Sequence, residues 1–383
     1  MASKVYFTDF RAATGHSPLS KLQKLILAAG ISNLDVKDKF VAVKTHFGEP
    51  GNMTYPRPAY VDVVVRELQK MGGIVFLTDA NTLYSGGRSN AVNHLDAAMK
   101  HGFNPISTSA PVIIADGLNG TDFEEMPVNG GEYCSTAKIG SAIAKADVIV
   151  TVSHFKGHEM TGFGGCMKNI GMGCASRAGK MLLHADSKPV IDLEHCIGCR
   201  VCEKSCAHDA IHVGTDGKAV IDYGKCVGCG QCIAVCQHSG SVSAQDSDSV
   251  RMNCKIAEYS KAVVEGKQNF HVTLIMDVSP ECDCWSGNDA AIVPNIGMAA
   301  SFDPVALDQA CADMVMNAPA LPNTLYTDHY EKSKAELCHH GHNCQGEHDH
   351  FYFIHPDTNW KSGLIHGEKI GLGTMEYELV TVK

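Results

Sequence analysis

The chain has 383 residues, 44% hydrophobic and 19% charged, with a formal net charge of −10. That length supplies one large hydrophobic core or two moderate ones, while the acidic balance and the lack of a basic face argue against nucleic acid or an anionic membrane as partner. No apolar run reaches bilayer length and the N-terminus has no signal-peptide centre, so a cytoplasmic protein with reduced thiols is expected.

Short apolar runs alternate with amphipathic stretches along most of the chain. Val5–Phe7 reads as a strand, followed by a helix from Pro18 to Ala29, with Ser17 as N-cap and Gly30 as its stop. Strands are expected at Phe40–Val43, Ile74–Leu77, Val112–Ala115 and Val148–Val152, and helices at Ala59–Met71 and Ser89–Lys100. After a cysteine-rich stretch the pattern resumes. A helix is expected from Ser249 to Glu265, then strands at Val272–Met276 and Ile292–Ala299. A last helix opens at Asp303-Pro304 and runs to about Met316. Apolar strands between helices predict an α/β fold with a mostly parallel sheet covered on both faces.

The cysteine-rich stretch, about Asp186 to Ser243, holds two runs of the form C-x₂-C-x₂-C-x₃-C. This is the bacterial two-cluster ferredoxin spacing, in which the fourth cysteine of each run serves the other run's cluster. It assigns Cys196, Cys199, Cys202 and Cys236 to one [4Fe–4S] cluster, and Cys226, Cys229, Cys232 and Cys206 to the other. Paired zinc knuckles also use C-x₂-C, but seldom need three cysteines at three-residue steps twice over. The proline usual after the fourth cysteine is replaced by Ala207 and Gln237, which alters a turn and no ligand. The expected organisation is an α/β domain in two parts, 1–185 and 244–383, interrupted by an α+β ferredoxin-like insert over 186–243.

In open α/β sheets ligands bind beyond the carboxyl ends of the strands. The residues expected there are Lys44-Thr45-His46, Thr78-Asp79-Ala80-Asn81, Ser153-His154-Phe155-Lys156-Gly157-His158 and, after the Val272 strand, Asp277 and Cys282-Asp283-Cys284. Polar residues at four strand ends point to one shared pocket. Lys44, Lys156, Lys168 and Arg88 suit a carboxylate or phosphate, with Asn169 beside Lys168, and His46, His154 and His158 suit proton transfer or a metal. The glycine-rich stretch Thr161–Gly165 opens a predicted helix whose free N–H groups would bind an anion. It is not a dinucleotide fingerprint, and the chain has no P-loop. Cys282 and Cys284 can share an additional soft metal or form a strained redox pair. Cys166 and Cys174 read as structural. The segment Cys338 to His355 reads as a solvated histidine-rich loop, with metal binding by Cys338, Cys344 and two histidines as the alternative.

Taken together, VKTHFGEPGN (43–52), TDANTLYSGGR (78–88), HFKGHEMTGFGGCMKNIGMG (154–173), ECDCWSGNDAAIVPNIGMAASFDPVALDQA (281–310) and HPDTNW (355–360) resemble the "domain of unknown function 362" family. With the double cysteine motif, the resemblance is to its ferredoxin-containing branch and covers nearly the whole chain. It implies an α/β domain with an inserted two-cluster ferredoxin, and it names no reaction. The expected function is an iron–sulfur oxidoreductase, in an anaerobic setting, taking electrons from a donor or redox partner and reducing a small anionic molecule. The alternative is a non-catalytic adaptor that docks a partner oxidoreductase or corrinoid protein.

Overall fold

The computed structural model describes residues 2–83, 86–184, 189–226, 232, 236, 242–243, 248–330 and 349–383. The expected cluster ligand Cys229 and most of the histidine-rich segment, including Cys338 and Cys344, lie outside the described residues.

One eight-stranded sheet organises the chain. Its strands are β1 (Ser3–Asp9), β2 (Phe40–Thr45), β3 (Ile74–Asp79), β4 (Val112–Ile114), β5 (Val148–His154), β6 (Gln268–Ile275), β7 (Gly297–Ser301) and β8 (Tyr377–Thr381). They lie side by side in the order β8-β1-β7-β6-β5-β2-β3-β4. Every neighbouring pair is parallel except the two made by β7, which runs against both β1 and β6. Side-chain alternation divides the core into two. Val41 and Val43 of β2 face one apolar cluster with α1 (Pro18–Ala28) and α2 (Pro58–Lys70). Ala42 faces a second cluster, on the opposite side of the sheet, that the later helices cover. Helices on both faces make this the mixed, mostly parallel α/β fold that continuous apolar strands require.

The element ends follow local chemistry. Ser17 accepts the Ser20 N–H at the start of α1. Helix α3 (Ala91–Lys100) starts two residues later than expected because Asn90 is the cap, accepting from the Asn93 N–H. On the second face lie α4 (Cys166–Cys174), α5 (Arg177–His184), α6 (Asp248–Val264), α7 (Pro304–Met316) and α8 (Lys361–Lys369). Asp303 caps α7 through the N–H groups of Val305 and Ala306, with Pro304 in the first turn. The strand expected over Ile292–Ala299 begins only at Gly297. Pro294 has no N–H to give a ladder, so the chain reaches the sheet after it.

Between α5 and α6 the chain forms two small antiparallel pairs. Val190–Ile191 pairs with Val242–Ser243, and Ile211–Val213 with Ala219–Ile221. The first pair brings the two ends of this segment together. Cys196, Cys202 and Cys232 are buried with Ile211, Ala219 and Ile221, and Cys206, Cys226 and Cys236 pack against them. Cys199 is exposed.

Candidate functional site

Because β2, β3, β5 and β6 are parallel neighbours, their carboxyl ends open on one side of the sheet, where a cavity of about 110 Å³ lies. Lys44, His46, Arg88, His154, Lys156, His158, Lys168, Asn169, Cys282 and Cys284 all line it. Residues chosen from separate strand ends thus share one space.

Its wall is a buried ion-pair network. Asp79, at the end of β3, lies 2.9 Å from Lys44 Nζ through Oδ1 and 3.4 Å from an Arg88 nitrogen through Oδ2. Lys44 also donates to Asn169 Oδ1 at 2.7 Å, and Arg88 Nε to Glu49 Oε2 at 2.9 Å. Burial pushes the Asp79 carboxyl up, but Lys44 and His94 beside it hold it well below the usual range. Lys44 and Arg88, expected to hold a ligand, therefore carry internal partners and build the wall.

A second network surrounds Asp283, which is fully buried. It takes the Thr54 hydroxyl at 3.0 Å, Lys156 Nζ at 3.2 Å and His154 Nδ1 at 2.9 Å. Burial opposes ionisation here too, and the His154 and Lys156 charges overcome it. His154 Nε2 lies 2.8 Å from the Met276 carbonyl, which can only accept. Both its ring nitrogens are committed, so His154 positions the Cys282–Cys284 loop and is not free to shuttle protons. Gly157 sits against the same loop. A Cβ there would stand 2.2 Å from the Pro280 carbonyl oxygen.

The other two histidines remain available. His46 Nδ1 accepts the Gly48 N–H at 3.0 Å, and burial with the Arg88 charge holds the ring well below its usual value, so it is neutral. His158 Nδ1 accepts from the backbone N–H of Met160 at 3.0 Å and of Thr161 at 3.2 Å. His158, Cys282 and Cys284 bring three ligand-type atoms within 4.8 Å of one another, a grouping compatible with metal binding. Lys168 Nζ is 3.6 Å from Cys282 Sγ. The Cys284 thiol beside it holds Cys282 well below the usual thiol range despite burial, with help from Lys168 and His158, and Cys284 is pushed up in turn.

The anion site expected at the start of α4 is already filled. The Cys166 and Met167 N–H groups donate to the two carboxylate oxygens of Asp308 in α7, at 2.6 and 2.8 Å. An acidic side chain of the chain itself takes the place foreseen for a ligand. Three ionisable cavity residues escaped the sequence reading, Glu159 beside His158 and Lys180 and His184 of α5. Burial pulls Lys180 down to about 8 and His184 to about 3. Their four-residue spacing, which puts a cation and an imidazole on one helix face, was the available signal.

A model of the domain of unknown function DUF362 matches residues 41–313. The chain belongs to the DUF362 family. No curated protein matches this DUF362 chain. Among solved structures it is similar to the lactate racemase apoprotein from Thermoanaerobacterium thermosaccharolyticum, at 13% identity and a TM-score of 0.43, covering 99% of this chain and 83% of that one. It is also similar to a protein from Thermotoga maritima, at 14% identity and a TM-score of 0.39, covering 78% of this chain and 58% of that one. No helix among the described residues of this DUF362 protein is long and apolar enough to cross a membrane.

Proposed function

We propose that this DUF362 protein carries an inserted two-cluster ferredoxin unit, passes electrons from a donor protein to the strand-end cavity, and reduces a small anionic molecule there. The observation that carries the reading is one of connectivity. The cysteine-rich segment leaves from α5 and returns to α6, and both helices line the cavity, through Lys180 and His184 on one side and Met252 on the other.

The cysteine segment suits iron–sulfur clusters. Six of its cysteines gather in one small apolar core, and the Ala210 N–H donates to Cys206 Sγ at 3.3 Å, as donors to cluster sulfur do. At Gly198, φ is 66° and a Cβ would lie 2.0 Å from the Gly217 carbonyl oxygen, so the loop between the first cysteines closes only around glycine. Cys196, Cys199, Cys202 and Cys236 would hold one [4Fe–4S] cluster, and Cys206, Cys226, Cys229 and Cys232 the other. Such clusters, when bound, supply electrons singly. In the cavity, Lys168 and Lys180 attract a negative ligand, the two ion-pair networks keep the wall rigid, and His46 and His158 hold protons near it.

Protein purified without oxygen tests the reading. About eight iron and eight sulfide per chain are expected, and His158→Ala should keep that iron while losing the reoxidation of dithionite-reduced protein by its small-molecule acceptor. Iron far below eight after reconstitution would refute the clusters. Electron transfer to a protein partner that survives His158→Ala, with no small molecule bound, would make the chain an adaptor.

A further inference from the structure

We propose that Cys282 and Cys284 are a thiol–disulfide redox pair opening on the cavity, with Cys282 the attacking thiolate, Cys284 the resolving thiol, and a small anionic disulfide as the substrate class. This rests on the reading of the cavity as the reducing site and names what is reduced there.

The arrangement of donors around one sulfur carries the inference. Cys282 Sγ receives Lys168 Nζ at 3.6 Å and the Cys284 backbone N–H at 3.5 Å, and a ring nitrogen of His158 lies within 4.8 Å of it. Two backbone N–H groups point at His158 Nδ1, so that nitrogen bears a lone pair and the ring proton sits on Nε2. That Nε2–H faces Glu159 Oε1 at 3.6 Å, with the Cys282 sulfur close by, whereas a metal would need the Nε2 lone pair. Two donors, one of them the Lys168 ammonium, converge on the sulfur of a cysteine that lines the cavity, and they favour its thiolate over the thiol. The second thiol stands within 4.8 Å, near enough to resolve a mixed disulfide.

The exchange balances. The Cys282 thiolate attacks one sulfur of the substrate, a mixed disulfide forms, and the first half leaves as a thiolate. That thiolate takes the Cys284 proton. The Cys284 sulfur then attacks Cys282, the second half leaves as a thiolate, and solvent protonates it. The pair loses two electrons and becomes a disulfide, while the substrate gains two electrons and two protons and becomes two thiols. Two single-electron equivalents from a low-potential donor, with one proton, restore the starting state. Lys168 and Lys180, both lining the cavity, supply the preference for negative charge.

The test takes cluster-loaded protein with its thiols reduced and its clusters in the oxidised [4Fe–4S]²⁺ state, freed of reductant without oxygen, and mixes it with 5,5′-dithiobis(2-nitrobenzoate), a dianionic chromogenic disulfide. The expected result is a fast release of about two thiol equivalents per chain, with the 282–284 peptide recovered as an internal disulfide by mass spectrometry. Cys284→Ser should stop at about one equivalent, with the adduct on Cys282, and His158→Ala and Lys168→Met should each slow the fast phase by about tenfold. Cystamine, a dicationic disulfide, should react more slowly, and equal rates would overturn the anionic class. About one non-cluster metal per chain, lost in Cys282→Ser, would overturn the redox pair in favour of a metal centre. A missing fast phase in folded protein with full iron refutes the pair and leaves electron transfer standing, whereas a fast phase without iron does the reverse.

Discussion

Replacing Asp79 by Asn removes one negative charge and almost no volume from the cavity wall. The carboxylate is 3% exposed and touches Lys44, 1% exposed, and Arg88, 2% exposed. Loss of its charge leaves two buried cations with one fewer counterion, and breaking a buried pair in this way costs about 3–5 kcal/mol. An unfolding entropy of about 2.1 cal/mol/K per residue gives about 0.8 kcal/mol/K for 383 residues, so the melting temperature should fall by about 4–6 °C. The control is Lys39→Ala, which removes an exposed pair with Asp35 worth about 0.2–1 kcal/mol, a shift of about 1 °C or less. Adding Lys44→Met to Asp79→Asn removes one stranded cation and should recover part of the loss. Calorimetry of the four proteins reads all three effects. If Asp79→Asn melts with the unaltered protein, or the double variant does no better than the single one, the buried charge balance is not what holds this wall.

Three further outcomes follow from particular residues. Burial pushes Asp308 up to about 7, against about 4 in the unfolded chain, so the folded state holds a proton that the unfolded state releases. Its contribution is complete below about pH 4 and is lost as pH rises through about 7, and Asp308→Asn should flatten that part of a melting profile followed from about pH 5 to 8. Gly198→Ala forces a Cβ against the Gly217 carbonyl, and should lower bound iron by about four atoms per chain in elemental analysis while the melting of the α/β domain stays unchanged. Lys180, with its pKa near 8, loses its charge above that pH, so calorimetric affinity for malonate should fall as pH rises through about 8, and Lys180→Gln should remove the dependence.

Much of this architecture was legible because the sheet is buried on both faces. The runs at Phe40 and Ile74 are apolar without interruption, the run at Val148 is broken only by Thr151, and each ends where a polar residue enters the cavity. Strand β8 was not legible. It lies at the sheet edge with mostly half-exposed or exposed residues, so it carries no apolar signature. The cavity cations were legible as residues but not as pairs. Lys44 meets Asn169 across 125 positions, and Cys166 meets Asp308 across 142. No local pattern reports such distant partners. That is why the start of α4 looked open to an anion when a carboxylate from α7 already occupied it.

The pairing of β1 has a consequence for the order in which the molecule can be assembled. Its partners are β7 and β8, with Tyr6 opposite Ala300 and Val5 opposite Leu379. At a synthesis rate of about 5–20 residues per second, the first strand leaves the ribosome on the order of 15–60 s before its nearer partner exists. The cysteine-rich segment is complete within that interval, while the sheet is still open on one side. The same waiting period leaves both edges of β1 unpaired, and an unpaired strand edge is a template for aggregation.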